Sequence, residues 1–159
     1  MKSKLAKISL ERLRLIAEQQ FDIRIASDGR WYHDGGEIRR IELVKLFASI
    51  LLRDDDGVYW LATPAEKGRI AVDDAPFIIR EMSVEAGAGM APQKISFQTS
   101  LDDIVPLDEA HPLQYIEVRD GLLAKLSRPV YYQLAEYAET GPDGRFGVWS
   151  HHQFFPLEA

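Results

Sequence analysis

Residues 22–33 read DIRIASDGRWYH, and residues 115–126 read YIEVRDGLLAKL. In the first, Ile23-Arg24-Ile25 alternates apolar and polar, turns at Asp28-Gly29 and returns through Trp31-Tyr32-His33. In the second, Tyr115-Ile116-Glu117-Val118 turns at Asp120-Gly121 and returns through Leu122 to Leu126. Asp-Gly between extended segments signals a hairpin, because both residues tolerate positive φ.

A helical pattern follows each hairpin. Over 38–51 the polar positions Glu42, Lys45 and Ser49 form one narrow stripe, and nearly everything else is apolar. That pattern predicts a helix buried on several sides. Over 129–140 the stripe is Gln133, Glu136 and Thr140, with Pro129 suited to a helix start and Ser127 to its cap. Each helix runs into a further Asp-Gly and a strand carrying tryptophan: Asp56-Gly57 then Trp60, and Asp143-Gly144 then Trp149. Matching landmarks lie roughly 90 residues apart, in the same order. The expectation is an α+β fold of two small domains, built from a duplicated strand-turn-strand-helix-strand unit. Hairpin–helix–strand is also a common succession, so the order alone does not compel a shared origin.

Between the units, 69–72 reads as a strand. Residues 77–85 and 94–99 read as a hairpin around the loop GAGMAP, 87–92. Asp73-Asp74-Ala75-Pro76 is a turn-forming break. The expected organisation is an N-terminal helix within 1–20, capped by Ser9 and running over 10–19, a first repeat domain over 21–75, and a C-terminal domain over 76–159 holding the second repeat.

The 159 residues are enough for a core without covalent staples. There is no cysteine, hence no disulfide, zinc knuckle or thiol nucleophile, which fits a cytoplasmic protein. A net charge of −6 disfavours nucleic acid as a partner. The basic N-terminus resembles a targeting signal, but Glu11, Arg12, Arg14 and Glu18 interrupt any apolar core. No stretch approaches the ~20 apolar residues that span a bilayer, so no membrane partner is expected.

Two clusters carry candidate chemistry. In Thr63-Pro64-Ala65-Glu66-Lys67-Gly68-Arg69, Lys67 and Arg69 share a face if they enter a strand, and Gly68 allows close approach. That combination suits a phosphate or carboxylate, though without P-loop spacing; the competing reading is a solvated turn. In Trp31-Tyr32-His33, Trp31 and His33 face one side and Tyr32 the other. They suit stacking on a ring ligand, or simple core packing. His151-His152, taken as strand neighbours, point to opposite faces and cannot readily clasp one metal ion. Asp54-Asp55-Asp56-Gly57 lacks the spacing of a calcium loop. Asp73-Asp74 and Asp102-Asp103 are acid pairs in turns, and His111-Pro112 is a loop element. No nucleophile-elbow, metalloprotease or dinucleotide motif occurs.

The runs FDIRIASDGRWYHDGGEI (21–38), LVKLFASILLRDDDGVYWLATPAEKGRIAVDDAPF (43–77) and GVWSHHQFFPLE (147–158) resemble a family of uncharacterised bacterial, mostly proteobacterial, proteins classed as a domain of unknown function. The resemblance implies a duplicated core, a C-terminal domain superficially similar to pleckstrin-homology folds, and a role in signal transduction. It also implies a ligand site at the domain interface, for a nucleotide-like molecule. The matching positions are Trp31, Tyr32, His33, Thr63, Pro64, Glu66, Lys67, Arg69, Asp73, Asp74 and Phe77, with Trp149. The family's ending carries small residues where this chain has His151-His152, which argues against a shared metal role. The functional expectation is a non-enzymatic ligand-sensing module, with Lys67 and Arg69 holding an anionic group and Trp31 or Tyr32 stacking on a ring. The alternatives are a protein-interaction module and an acid–base enzyme using His33 with an aspartate. No cofactor is specified.

Overall fold

Every Asp-Gly in the chain sits at a turn, and these turns set the strand pairing. In the computed structural model, which describes residues 8–88, 92–108 and 115–157, β1 (Ile23–Ile25) and β2 (Trp31–His33) form the first expected hairpin, with Ile25 opposite Trp31. A second turn follows at once: Asp34 (φ 49°) and Gly35 (φ 81°) return the chain into β3 (Gly36–Glu37). Two successive left-handed residues are what a two-residue hairpin loop requires.

Helix α1 precedes the hairpin and is far shorter than the sequence suggests, Leu10–Leu13 rather than 10–19. Ser9 does cap it, accepting from the Arg12 amide at 3.3 Å. Extended pairing then wins over helix: Glu18 bridges in parallel to Lys67, and the Gln19 amide donates to the Lys67 carbonyl at 2.7 Å. Helix α2 is Ile41–Ser49, shorter at both ends than 38–51. Leu51 leaves it to pair with Leu61, so β4 (Leu51–Arg53) begins where the apolar pattern continues. Burial on several sides is not observed. Val44 and Ala48 are buried, Leu43, Leu46 and Phe47 are half-buried, and Ile41 is exposed.

Strands β5 (Tyr59–Ala62) and β6 (Lys67–Val72) complete a six-stranded sheet in the order β3-β2-β1-β6-β5-β4. Only the β1–β6 pair is parallel, with Ile25 opposite Val72. Register and alternation then assign every side chain to a face. One face carries Ile23, Ile25, Trp31, His33, Leu51, Leu61, Gly68 and Ile70, and Trp31 stacks on Phe47 of α2 there (ring centroids 6.4 Å). The other carries Arg24, Tyr32, Leu52, Trp60, Ala62, Lys67 and Arg69. Its core is Ile8, Leu13, Trp60 and Ala62, with Ile16, Leu52 and Val58 packed around them.

By contact density the chain divides into two units, Met1–Pro76 with Asp120–Leu122, and Phe77–Arg119 with Leu123–Ala159. In the second, β7 (Phe77–Glu85), β8 (Lys94–Thr99), β9 (Ile104–Pro106), β10 (Tyr115–Arg119) and β11 (Leu122–Leu126) form a sheet in the order β10-β11-β7-β8-β9. Part of the GAGMAP loop and all of His111-Pro112 lie outside the described residues. Helix α3 is Arg128–Ala135, with Ser127 at the cap position but no side-chain bond from it. The helix expected to reach residue 140 ends early because Glu139 and Thr140 form β12 (Glu139–Thr140) against Gly147 and Phe146 of β13 (Phe146–Ser150). With β14 (Gln153–Pro156) they make a three-stranded sheet.

The protein is thus mixed α and β, mostly sheet with few helices. The two hairpin–helix–strand successions share element order but not sheet wiring. In the first, β1 pairs in parallel with a strand that follows the helix, and the tryptophan strand β5 joins the same sheet. In the second, β11 pairs in parallel with β7, which precedes the hairpin, and the tryptophan strand β13 sits in a separate sheet.

Candidate functional site

The two faces of the first sheet separate the residues singled out in the sequence. Lys67 and Arg69 do share a face, and both lie on the ring of Trp60, at 4.7 and 4.9 Å from its centroid. Both also have partners within the unit. The Lys67 ammonium donates to the Leu13 carbonyl at 2.9 Å, and the Arg69 guanidinium makes a forked pair with Glu18 at 3.0 and 3.2 Å. Glu18 raises the Arg69 pKa further above its already high value, through its hydrogen bond and then its charge. Trp31 is on the opposite face, so the convergence of Trp31 with Lys67 and Arg69 does not occur. The parallel β1–β6 pairing sets that opposition. Tyr32 is on the Lys67 face instead, under Arg24 (5.5 Å), which in turn holds Asp73 at 3.0 Å. Asp74 is half-buried beside it in the chain.

On the α2 face, a pocket of about 280 Å³ opens between helix and sheet. Its apolar wall is Phe21, Ile23, Phe47, Ile50 and Leu61, and its polar lining is Gln20, His33, Thr63 and Glu66. Phe21 reaches the wall because Gly68 leaves room. A Cβ at Gly68 would meet the Phe21 ring at 2.3 Å. Thr63 has a structural duty, its hydroxyl accepting from the amides of Ala65 and Glu66 at 3.3 and 3.2 Å. His33 is exposed and stands 3.5 Å from the Asp34 carboxylate, its neighbour in the turn. His33 and Thr63, far apart in sequence, therefore meet at one pocket, and Glu66 and Gln20 join them.

His151 and His152 are not strand neighbours, as the sequence suggested. They are the two-residue turn between β13 and β14, at φ 51° and 67°. His151 Nδ1 lies 3.0 Å from Ser150 Oγ and 3.2 Å from the Leu107 carbonyl, while buried Ser150 accepts from the Ile95 amide. Among the described residues, no group of three or more His, Asp or Glu gathers to hold a metal ion. No helix there is long and apolar enough to cross a membrane.

Comparison with known proteins gives a consistent answer. The family described as "Domain of unknown function (DUF1285), N-terminal domain" matches residues 16–75, and "Protein of unknown function (DUF1285), C-terminal domain" matches 76–157. The chain belongs to the DUF1285 family. A crystal structure of a DUF1285 family protein from Silicibacter pomeroyi DSS-3 is similar to it, with 38% identity, a TM-score of 0.77, and coverage of 89% of this chain and 81% of that one. A second, from Shewanella baltica OS155, has 31% identity and a TM-score of 0.56, covering 72% and 90%. No curated protein matches the sequence.

Sequence reasoning passed over the centre of the cation-bearing face of this DUF1285 chain. Asp54 is a turn residue whose Oδ1 accepts from the Asp56 and Val58 amides at 3.0 and 2.9 Å, while Oδ2 accepts the Trp60 indole N–H at 2.9 Å. The indole bond, foremost, holds the Asp54 carboxyl below its ordinary range. The Val58 and Asp56 amides and the Arg69 charge add to this, and partial desolvation opposes it. A depressed carboxylate stabilises the fold above its unfolded pKa of about 3.9, and that stability is lost as pH falls through the lower folded value. Asp54→Asn keeps an acceptor oxygen but removes the charge. It is expected to cost about 1 kcal/mol at pH 7, with the gap to wild type closing in acid, once the pH has fallen through the lowered folded-state value. Urea unfolding at pH 7 and in acid measures this; a pH-independent gap contradicts it.

Proposed function

We propose that this protein is a non-enzymatic, small-molecule-binding module of the sensing or signalling type, acting in the cytoplasm, and that it binds a ring-shaped ligand in the pocket between α2 and the first sheet. The observation that carries this reading is the convergence of His33, Thr63, Glu66 and Gln20 on an apolar hollow walled by Phe21, Phe47 and Leu61. A mostly apolar concavity with a few polar groups at its edge is the usual form of a ligand site. A nucleotide-like ligand fits this reading through its ring. An anionic group held by Lys67 and Arg69 fits it less well, because both cations already have partners in Leu13, Glu18 and Trp60.

A panel of nucleosides and single-ring fragments, followed by thermal shift, tests the reading. Ligands that raise Tm are expected to lose their effect in Phe47→Ala and keep it in Lys67→Ala, with circular dichroism confirming that both variants are folded. The opposite pattern places the site on the Trp60 face and refutes the pocket.

A second reading, a protein-interaction module, draws on the exposed aromatic residues Tyr132, Tyr137 and Phe146 of the second unit. We also read the two hairpin–helix–strand successions as diverged copies of one unit, and the second domain as superficially pleckstrin-homology-like. The shared element order supports the duplication, and the different wiring is the divergence such copies would have undergone.

A further inference from the structure

The charge at the pocket is decided by strand alternation. Around the β5–β6 turn the chain carries Glu66, Lys67 and Arg69 in close succession. A ligand meeting all three would meet a net positive charge. β6, however, begins at Lys67, and its pairing puts Lys67 opposite Ala62 and Arg69 opposite Trp60, on the face away from Leu61 and Gly68. Both cations are therefore turned from the pocket and held by Leu13 and Glu18. Glu66 lines the pocket, and the hydrogen bonds it makes with the described residues run through its backbone, not its carboxylate. Its backbone carbonyl is occupied by the Thr63 amide at 2.9 Å, so the turn is held independently of the side chain. The other ionisable residue of the lining, His33, has the Asp34 carboxylate 3.5 Å away.

Resting on the pocket reading above, we propose that the ligand is an aromatic or alicyclic ring bearing a protonated amine, its ring against Phe21, Phe47 and Leu61 and its ammonium at the Glu66 carboxylate. A volume of about 280 Å³ suits a fragment-sized ring compound rather than a full nucleotide. A carboxylate or phosphate on the same ring meets Glu66 with the wrong sign, and Lys67 and Arg69 lie on the opposite face of the sheet.

Three probes of matched shape separate charge from shape: 2-phenylethylamine, 2-phenylethanol and phenylacetate, titrated by NMR against the full chain and against Glu66→Gln. The amine is expected to bind roughly 3- to 10-fold more tightly than the alcohol, with phenylacetate weakest. Salt is expected to weaken that preference, because the pocket is open to solvent. In Glu66→Gln the amine-to-alcohol ratio is expected to fall to about one. Equal binding of amine and alcohol to wild type, or a preference that survives Glu66→Gln, overturns the charge assignment while leaving the pocket standing. If none of the three perturbs the pocket residues, the pocket reading itself fails.

Discussion

Trp60→Ala is expected to destabilise the first unit by about 3–5 kcal/mol, a large part of the total stability of an ordinary domain. Trp60 is the hub of the face that carries the N-terminal segment. Its ring packs with Ile8, Leu13 and Ala62, its N–H is accepted by Asp54, and Lys67 and Arg69 both lie on it. Truncation leaves a cavity, frees the Asp54 acceptor, and removes the surface on which both cations rest. Trp60→Phe keeps most of the packing and loses the indole bond, so a cost nearer 1–2 kcal/mol is expected. Urea unfolding followed by circular dichroism gives both values. A Trp60→Ala cost below about 1 kcal/mol shows that the segment is held by its surface ion pairs instead.

The second large effect is expected in the other unit. Gly147 faces Pro156 across the β13–β14 pair, and a Cβ there would lie 2.3 Å from the Phe155 carbonyl oxygen and 2.8 Å from the Pro156 Cα. Those are backbone atoms of the neighbouring strand. They cannot swing aside as a side chain can, so Gly147→Ala must force the strands apart. A loss of about 3 kcal/mol is expected, at the upper end for overpacking. Gly141→Ala is the control, because the atoms nearest its added Cβ all belong to the ring of Phe154. Although the Phe154 ring touches Trp149 edge-on, at 5.3 Å between centroids, it is a side chain that can shift, so it yields at a smaller cost than a strand backbone. Equal losses from the two variants contradict this ranking.

The strands nearest the Asp-Gly turns were readable from sequence because the turn chemistry is local. Helix ends were not. Apolar periodicity over 38–51 cannot distinguish the end of a helix from a buried strand, and Leu51 belongs to the strand because of Leu61, ten positions further on. The N-terminal helix, Leu10–Leu13, is shorter than its pattern suggests for the same reason. Glu18 and Gln19 have good helical propensity, but Arg69 and the Lys67 carbonyl claim them. At the site, alternation correctly separated Tyr32 from Trp31 and His33, and joined Lys67 to Arg69. Alternation within a strand does not say which face of one strand aligns with which face of another. The parallel β1–β6 pairing, between segments over forty residues apart, decides that Trp31 and Lys67 look in opposite directions. Phe21 and Gln20 carry no local signal; the place of Phe21 at the pocket depends on the Gly68 notch in a strand distant in sequence. Glu66 stands in the sequence as one member of a basic turn and of the family-like run, with no role of its own.

The indole N–H resonances test the central claim, because Trp31 and Trp60 report on opposite faces of one sheet. Trp31 stacks on Phe47 of the pocket wall, whereas the Trp60 N–H is fixed to Asp54 on the other side. When 2-phenylethylamine is titrated into ¹⁵N-labelled protein, the Trp31 indole signal is predicted to move in a saturable way while that of Trp60 stays still. A shift at Trp60 with none at Trp31 would contradict the account and return the ligand to the face of Lys67 and Arg69.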